Sequence, residues 1–103
     1  SHPQIARVGY TQRRALAEGM NVEIARSSYS ANIIARSELL GQGFAKALFY
    51  EDTIIGAVIA GDNAADLIAP LGLAVSCRLT KKQLQSWVIA HPTLSEIFVD
   101  LLA

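Results

Sequence analysis

The chain has 103 residues, with nine Lys and Arg balanced by nine Asp and Glu and a pI near 6.7. At about 150 residues to a typical domain, that is one unit with one core. Balanced charge gives none of the broad positive field that a phosphate backbone requires, which excludes nucleic acid as a partner. Hydrophobic residues are 51% and charged residues 17% of the chain, so disorder is excluded and the surface is short of polar cover. A unit this small leaves much of its surface outside, and an apolar excess there predicts a subunit interface.

Ile5 to Tyr10 favours a strand, Thr11 stands where a helix N-cap belongs, and Gly19 is placed to end that helix. Val22 and Ile24 alternate with Glu23 and Ala25, the period of a half-buried strand, which the Ser27 to Ser30 stretch is expected to break. Ala31 to Ser37 predicts one or two helical turns before the Gly41-Gln42-Gly43 break. Phe44, Lys46, Leu48 and Tyr50 share one face of a strand, Glu51-Asp52-Thr53 makes a polar turn, and Ile54 to Ala60 is almost wholly apolar. This is a β-hairpin whose second strand is covered on both faces, by helices on one side and other protein on the other.

Beyond Gly61 the period becomes helical: Leu67, Leu71, Val75 and Leu79 recur every four residues, Asp62 or Asn63 can cap, and Pro70 is expected to kink the axis. Thr80-Lys81-Lys82-Gln83 has the TxxQ form of a capping box and opens a helix through Leu84 and Trp87 to Val88. His91-Pro92 ends it. Thr93 to Glu96 is a second box, TxxE, and Leu94, Ile97, Phe98, Leu101 and Leu102 form the stripe of a last amphipathic helix. Strands first and helices last predict an α+β class with a mainly antiparallel β-sheet and helices packed on it.

No segment approaches the roughly 20 unbroken apolar residues that span a bilayer, since Pro70 and Gly72 interrupt the longest run, so no membrane is expected. Ser1 to Gln4 shows no secretory signal, and the lone Cys77 fits a reducing compartment, here the cytoplasm. Cys77 itself reads as a small buried thiol in an apolar helix. Gly41 to Lys46 begins like a dinucleotide fingerprint, but its sixth position is Lys46 and it leads into a strand. One Cys and two distant His residues offer no metal-ligand spacing, so no metal is expected. Arg78, Lys81 and Lys82 read as a solvated helix junction, and Trp87, Phe98 and Tyr50 as core or interface aromatics.

His91 is the one strong candidate for proton chemistry. It follows a helix end, and Glu96 stands five residues on across a chain reversal. A carboxylate on one ring nitrogen fixes the tautomer and raises basicity, leaving the other nitrogen as a general base near its ordinary pKa of ~6.5. Glu96 also occupies N3 of the TxxE box, where its carboxylate would bond the Thr93 N–H. The residues alone leave both roles open. His2 has Arg7 where an orienting acid would stand, and reads as an exposed histidine.

The His91-Pro92-Thr93-Leu94-Ser95-Glu96 string resembles the C-terminal dimerisation domain of the pyridine nucleotide-disulfide oxidoreductase family, with most likeness to its dihydrolipoamide dehydrogenase branch. Pro3 to Gly9, Gly43-Phe44-Ala45-Lys46, and Ile55-Gly56-Ala57 through Asn63 to Ile68 are similar to further family strings, so the likeness runs nearly the whole chain. It implies that residues 1–103 are the dimerisation domain, a C-terminal fragment of a larger homodimeric flavoenzyme that binds FAD and NAD in preceding domains, with no cofactor expected on this domain alone. His91 would be the base that takes a proton from a dihydrolipoyl thiol at the partner's redox disulfide, and Glu96 the carboxylate that orients it. In the family the His-Pro bond is typically cis, and the backbone of His91 and Pro92 would touch the partner's flavin. The implied partners are a second copy and a lipoyl-bearing acyltransferase or small dithiol. The parent would be an oxidoreductase and the isolated chain inactive. The alternative is a purely structural dimerisation module of a glutathione reductase-like relative.

Overall fold

The computed structural model describes residues 4–28, 43–87 and 97–103. Among them, in chain order, are β1 (Gln4–Gly9), α1 (Gln12–Ala17), β2 (Glu23–Ser28), β3 (Gly43–Tyr50), β4 (Thr53–Gly61), α2 (Ala64–Ser76), α3 (Lys81–Gln85) and α4 (Ile97–Leu101). The four strands form one sheet in the order β1-β4-β3-β2, and every neighbouring pair is antiparallel. The class is α+β, as the order of strand and helix signals predicts.

The β3–β4 hairpin organises this sheet. Its two turn residues, Glu51 and Asp52, both take positive φ, 49° and 68°, the backbone hand that matches the twist of a two-residue hairpin. Near the turn Leu48 pairs with Gly56 and Phe49 with Ile54, which leaves Ile55 as an extra residue on β4. The Ile55 carbonyl accepts the Tyr10 N–H at 2.9 Å, so the irregularity ties the β1–α1 connection to the sheet. Gly9 and Gly56 lie opposite each other in the β1–β4 register. A Cβ on Gly56 would collide with the Tyr10 backbone, and Gly9 holds φ +66°, so both positions need glycine for the chain to cross into α1.

One sheet face presents Ala45, Ala47, Phe49, Ala57 and Ile59 to the helices. The short alanine side chains let α2 settle over β1 and β4 with Leu67, Leu71 and Ala74 buried, while α4 lies over β2 and β3 with Ile97, Phe98 and Leu101 buried. Full burial of each of these large side chains contributes about 1.5–3 kcal/mol. The helical period thus finds its core, and α2 continues through Pro70 to Ser76. It stops by a Schellman arrangement: Arg78 takes φ 55°, its N–H reaches the Val75 carbonyl, and the Leu79 N–H reaches that of Ala74. Gly19 closes α1 the same way, with N–H bonds from Gly19 to Leu16 and from Met20 to Ala15.

Four expectations need correction. The helix expected to run through Trp87 ends at Gln85, with Ser86 as its C-cap. The serines at 27 and 28 do not break β2, which continues through both. Ser27 is buried, and its hydroxyl donates to Asp100 Oδ2 at 2.8 Å, a partner 73 residues away that satisfies the polar group within the sheet. Cys77 is not buried: it stands past the last turn of α2, at the C-cap, and is exposed. Asn63 holds the N-cap position of α2 with φ 64°, but its side chain makes no capping bond. The helical turns expected over Ala31 to Ser37 lie outside the described residues.

Candidate functional site

His91, Pro92 and Glu96 lie in segment 88–96, outside the described residues. What the fold defines is the pair of supports from which that segment departs and to which it returns. The departing support is α3. Thr80 caps it with both bonds of the box in place: its hydroxyl accepts from the Gln83 N–H at 3.1 Å, and the Gln83 amide oxygen accepts from the Thr80 N–H at 2.8 Å. The start of α3 is bound to the hairpin, because the Ile54 N–H donates to Leu79 and the Lys81 N–H donates to the Asp52 carbonyl at 2.8 Å. Lys81 is therefore more than a solvated cation; its ammonium meets Glu23 at 3.4 Å and lies over the Phe49 ring.

The returning support is α4, seated on the sheet by Ile97, Phe98 and Leu101 and by the Ser27–Asp100 bond. The two supports touch directly. The Trp87 and Phe98 rings stack with centroids 5.1 Å apart, and the Gln85 side-chain amide donates to the Leu102 carbonyl at 2.9 Å. Trp87 and Phe98 thus serve as packing aromatics. Ten residues intervene between them, and within those ten stand His91, Pro92 and Glu96. The residues on either side of segment 88–96 are thus held against each other by a ring stack and a hydrogen bond.

Elsewhere, Tyr10, Arg14 and Glu18 form an exposed cluster around α1. The Tyr10 hydroxyl donates to Glu18 Oε1 at 2.8 Å, the Arg14 guanidinium meets Glu18 Oε2 at 3.0 Å, and that guanidinium also lies 4.0 Å from the Tyr10 ring centre. These two donors, Tyr10 first, hold the Glu18 carboxyl below its ordinary pKa, and the same Tyr10–Glu18 bond raises the phenol. The cluster braces α1. Gly43 and Lys46 lie in β3, so that string begins a strand and does not form a phosphate loop. Among the described residues no group of three or more His, Cys, Asp or Glu is placed to hold a metal ion, and no helix is long and apolar enough to cross a membrane.

One group escapes a reading by chain order. Sheet register aligns Arg7, Val58, Lys46 and Arg26 in a single row across all four strands, on the face opposite the helical core. The parity of positions 5, 7 and 9 and of 44, 46 and 48 hints at it; only the pairing of strands reveals it.

The model of the pyridine nucleotide-disulphide oxidoreductase dimerisation domain matches residues 1–102. The chain belongs to that family. Among curated relatives it is 39% identical to the dihydrolipoyl dehydrogenase of Geobacillus stearothermophilus and 37% identical to that of Bacillus subtilis, each over 102 residues that cover 97% of this chain and 22% of the relative. Of solved structures, LpdA from Mycobacterium tuberculosis superposes with a TM-score of 0.89 at 26% identity, covering 97% of this chain and 22% of that one. The flavoprotein disulfide reductase RclA of Escherichia coli shares the fold, with a TM-score of 0.87 at 22% identity over 97% of this chain and 25% of that one. This dimerisation domain spans about a fifth of the length of the curated relatives it matches.

Proposed function

We propose that this chain is the dimerisation domain of a dihydrolipoyl dehydrogenase-like flavoenzyme and that His91 acts as a general base in the partner subunit's redox-disulfide site, with Glu96 as its orienting carboxylate. The observation that carries this reading is the HPTLSE string strung between Trp87 and Phe98, in a chain whose curated relatives are dihydrolipoyl dehydrogenases.

The chemistry suits these residue types. A thiol of pKa ~8.5 is only a few per cent thiolate at neutral pH, so an imidazole that accepts its proton raises the reactive fraction directly. The thiolate then attacks one sulfur of the partner's disulfide, the other sulfur leaves as a thiolate, and His91 carries the proton as imidazolium. Glu96 stabilises that charge and fixes which ring nitrogen is free.

The described residues give no dinucleotide cradle, because Gly43 to Lys46 feed a strand. In this reading FAD and NAD are held in the part of the parent outside this chain; the backbone of His91 and Pro92 approaches the partner's flavin, which supplies the electron-transfer chemistry. The parent is a homodimer in the cytoplasm, its substrate is a dihydrolipoyl dithiol, free or borne by an acyltransferase, and the chain by itself is inactive.

The test is His91→Gln in the intact parent. Turnover on dihydrolipoamide should fall about 10²- to 10⁴-fold with flavin still bound, the range that one general base supplies. Near-normal turnover would refute the base role. Activity on glutathione instead of lipoamide in the unaltered parent would leave only the structural role of the domain standing.

A further inference from the structure

The sheet face opposite the helical core is only partly covered. α1 crosses one end of it, burying Ala15 and Leu48, and beyond α1 the face stays open, with Ile5 and Phe44 60% and 45% exposed. Between these zones runs the row Arg7, Val58, Lys46 and Arg26. Arg7 and Lys46 flank Val58 on adjacent strands, and α1 adds Arg13 and Gln12 from above. Together they line a concavity of about 420 Å³ whose floor includes Leu48 and Val58.

Its electrostatics are one-sided. No acid among the described residues lines the concavity. Arg7, Arg13 and Arg26 make no ion pair among the described residues, and Lys46 bonds only to the neutral Gln12 side chain, at 3.2 Å. In a chain whose charges cancel, such segregation leaves a cationic site that is complementary to an anion and not neutralised by the other described residues. Two guanidinium forks and an ammonium on one concavity match the oxygens of a phosphate or carboxylate, and the apolar floor suits a ligand with a hydrocarbon or planar body.

We propose that the concavity between α1 and the open sheet face binds a small oxyanion, with Arg7, Arg13 and Lys46 as its cationic ligands. The proposal does not depend on the role of His91. Arg26 extends the positive potential along the row and raises the local concentration of the anion.

The test uses the intact polypeptide that carries this chain, with inorganic pyrophosphate as the phosphate probe and succinate as the carboxylate probe. Calorimetric titration should give saturable binding of at least one probe that weakens as salt rises. Arg7→Ala and Lys46→Gln, both on the open face, should each weaken it by about tenfold or more, while Lys82→Ala should leave it unchanged. Bound probe should also protect Lys46, and not Lys82, from amine modification read by mass spectrometry. Preference for pyrophosphate over succinate assigns a phosphate ligand, and the reverse a carboxylate. Absence of saturable binding, or equal affinity in the Arg7 and Lys46 variants, overturns the proposal. So does protection of Lys46 with no probe present, because protein would then cover the face.

Discussion

Trp87 stacks on Phe98, with ring centroids 5.1 Å apart and planes inclined by 26°, so the residues just past α3 pack directly on α4, beside the Gln85–Leu102 bond. Phe98 is fully buried and Trp87 packs on the edge of the same core. The contact ties the two residues that bracket the candidate base in sequence to the hydrophobic core. Phe98→Ala should cost about 3–5 kcal/mol of stability, measured by denaturant unfolding. Phe98→Leu, which keeps most of the apolar volume and loses the stack, should cost less than that. In the parent it should still lower turnover on the dithiol, because it loosens the support of His91.

The buried hydroxyl of Ser27 is satisfied by the Asp100 carboxylate, across 73 residues of sequence. Ser27→Ala removes the donor and should destabilise by about 1 kcal/mol, with Asp100→Asn costing less because an amide oxygen can still accept. A double-mutant cycle on the two positions measures the coupling directly, and additive losses would show that the bond contributes nothing.

Gly56 lies beneath the Tyr10 backbone, where a Cβ would meet the carbonyl oxygen and the amide nitrogen. Backbone cannot step aside as a flexible side chain can, so Gly56→Ala should cost about 3 kcal/mol and loosen α1. Gly19→Ala meets open space, and its cost, about 1 kcal/mol, comes from the positive φ alone. Thermal unfolding of the two variants should rank them in that order.

The Tyr10–Glu18–Arg14 cluster makes a pH prediction. The folded pKa of Glu18 is depressed below its ordinary value of 4.5, chiefly by the Tyr10 bond and then by Arg14. Its contribution is present above that ordinary value and is lost as pH falls through the depressed folded value. The folded pKa of Tyr10 is raised above 10.0, chiefly by the Glu18 bond, so its contribution is present below pH 10 and is lost as pH rises through the raised value. Glu18 is exposed and Tyr10 half-buried, so solvent screens the pair and the effect on stability is small. Glu18→Gln should shift the Tyr10 titration toward its ordinary value in a spectrophotometric experiment; an unchanged titration would show that the bond does not form in solution.

Much of this architecture was legible from local chemistry. Thr11 as cap, Gly19 as helix stop, the Thr80–Gln83 box and the Glu51–Asp52 turn each depend on residues within a few positions of one another, and each is found where the sequence places it. The errors came from distance. Nothing near Ser27 announces Asp100, so a serine that looked like a strand breaker is a satisfied core residue. Cys77 falls one residue past the end of α2, where hydrophobic period no longer decides burial. The row of Arg7, Lys46 and Arg26 exists only once four strands are in register. For the candidate site, His91 and Glu96 were singled out from residue chemistry and motif, and the fold adds the anchors at Trp87 and Phe98.

The most direct measurement of the central claim, that His91 serves the site of the other subunit, is complementation between two inactive forms of the parent. One form carries His91→Gln, and the other lacks the redox disulfide. In the mixed dimer one site combines an intact disulfide with an intact His91, so random exchange of subunits should restore about a quarter of wild-type turnover on dihydrolipoamide. Mixed dimers that form and remain inactive would contradict the account, because the histidine would then be acting within its own chain or not at all.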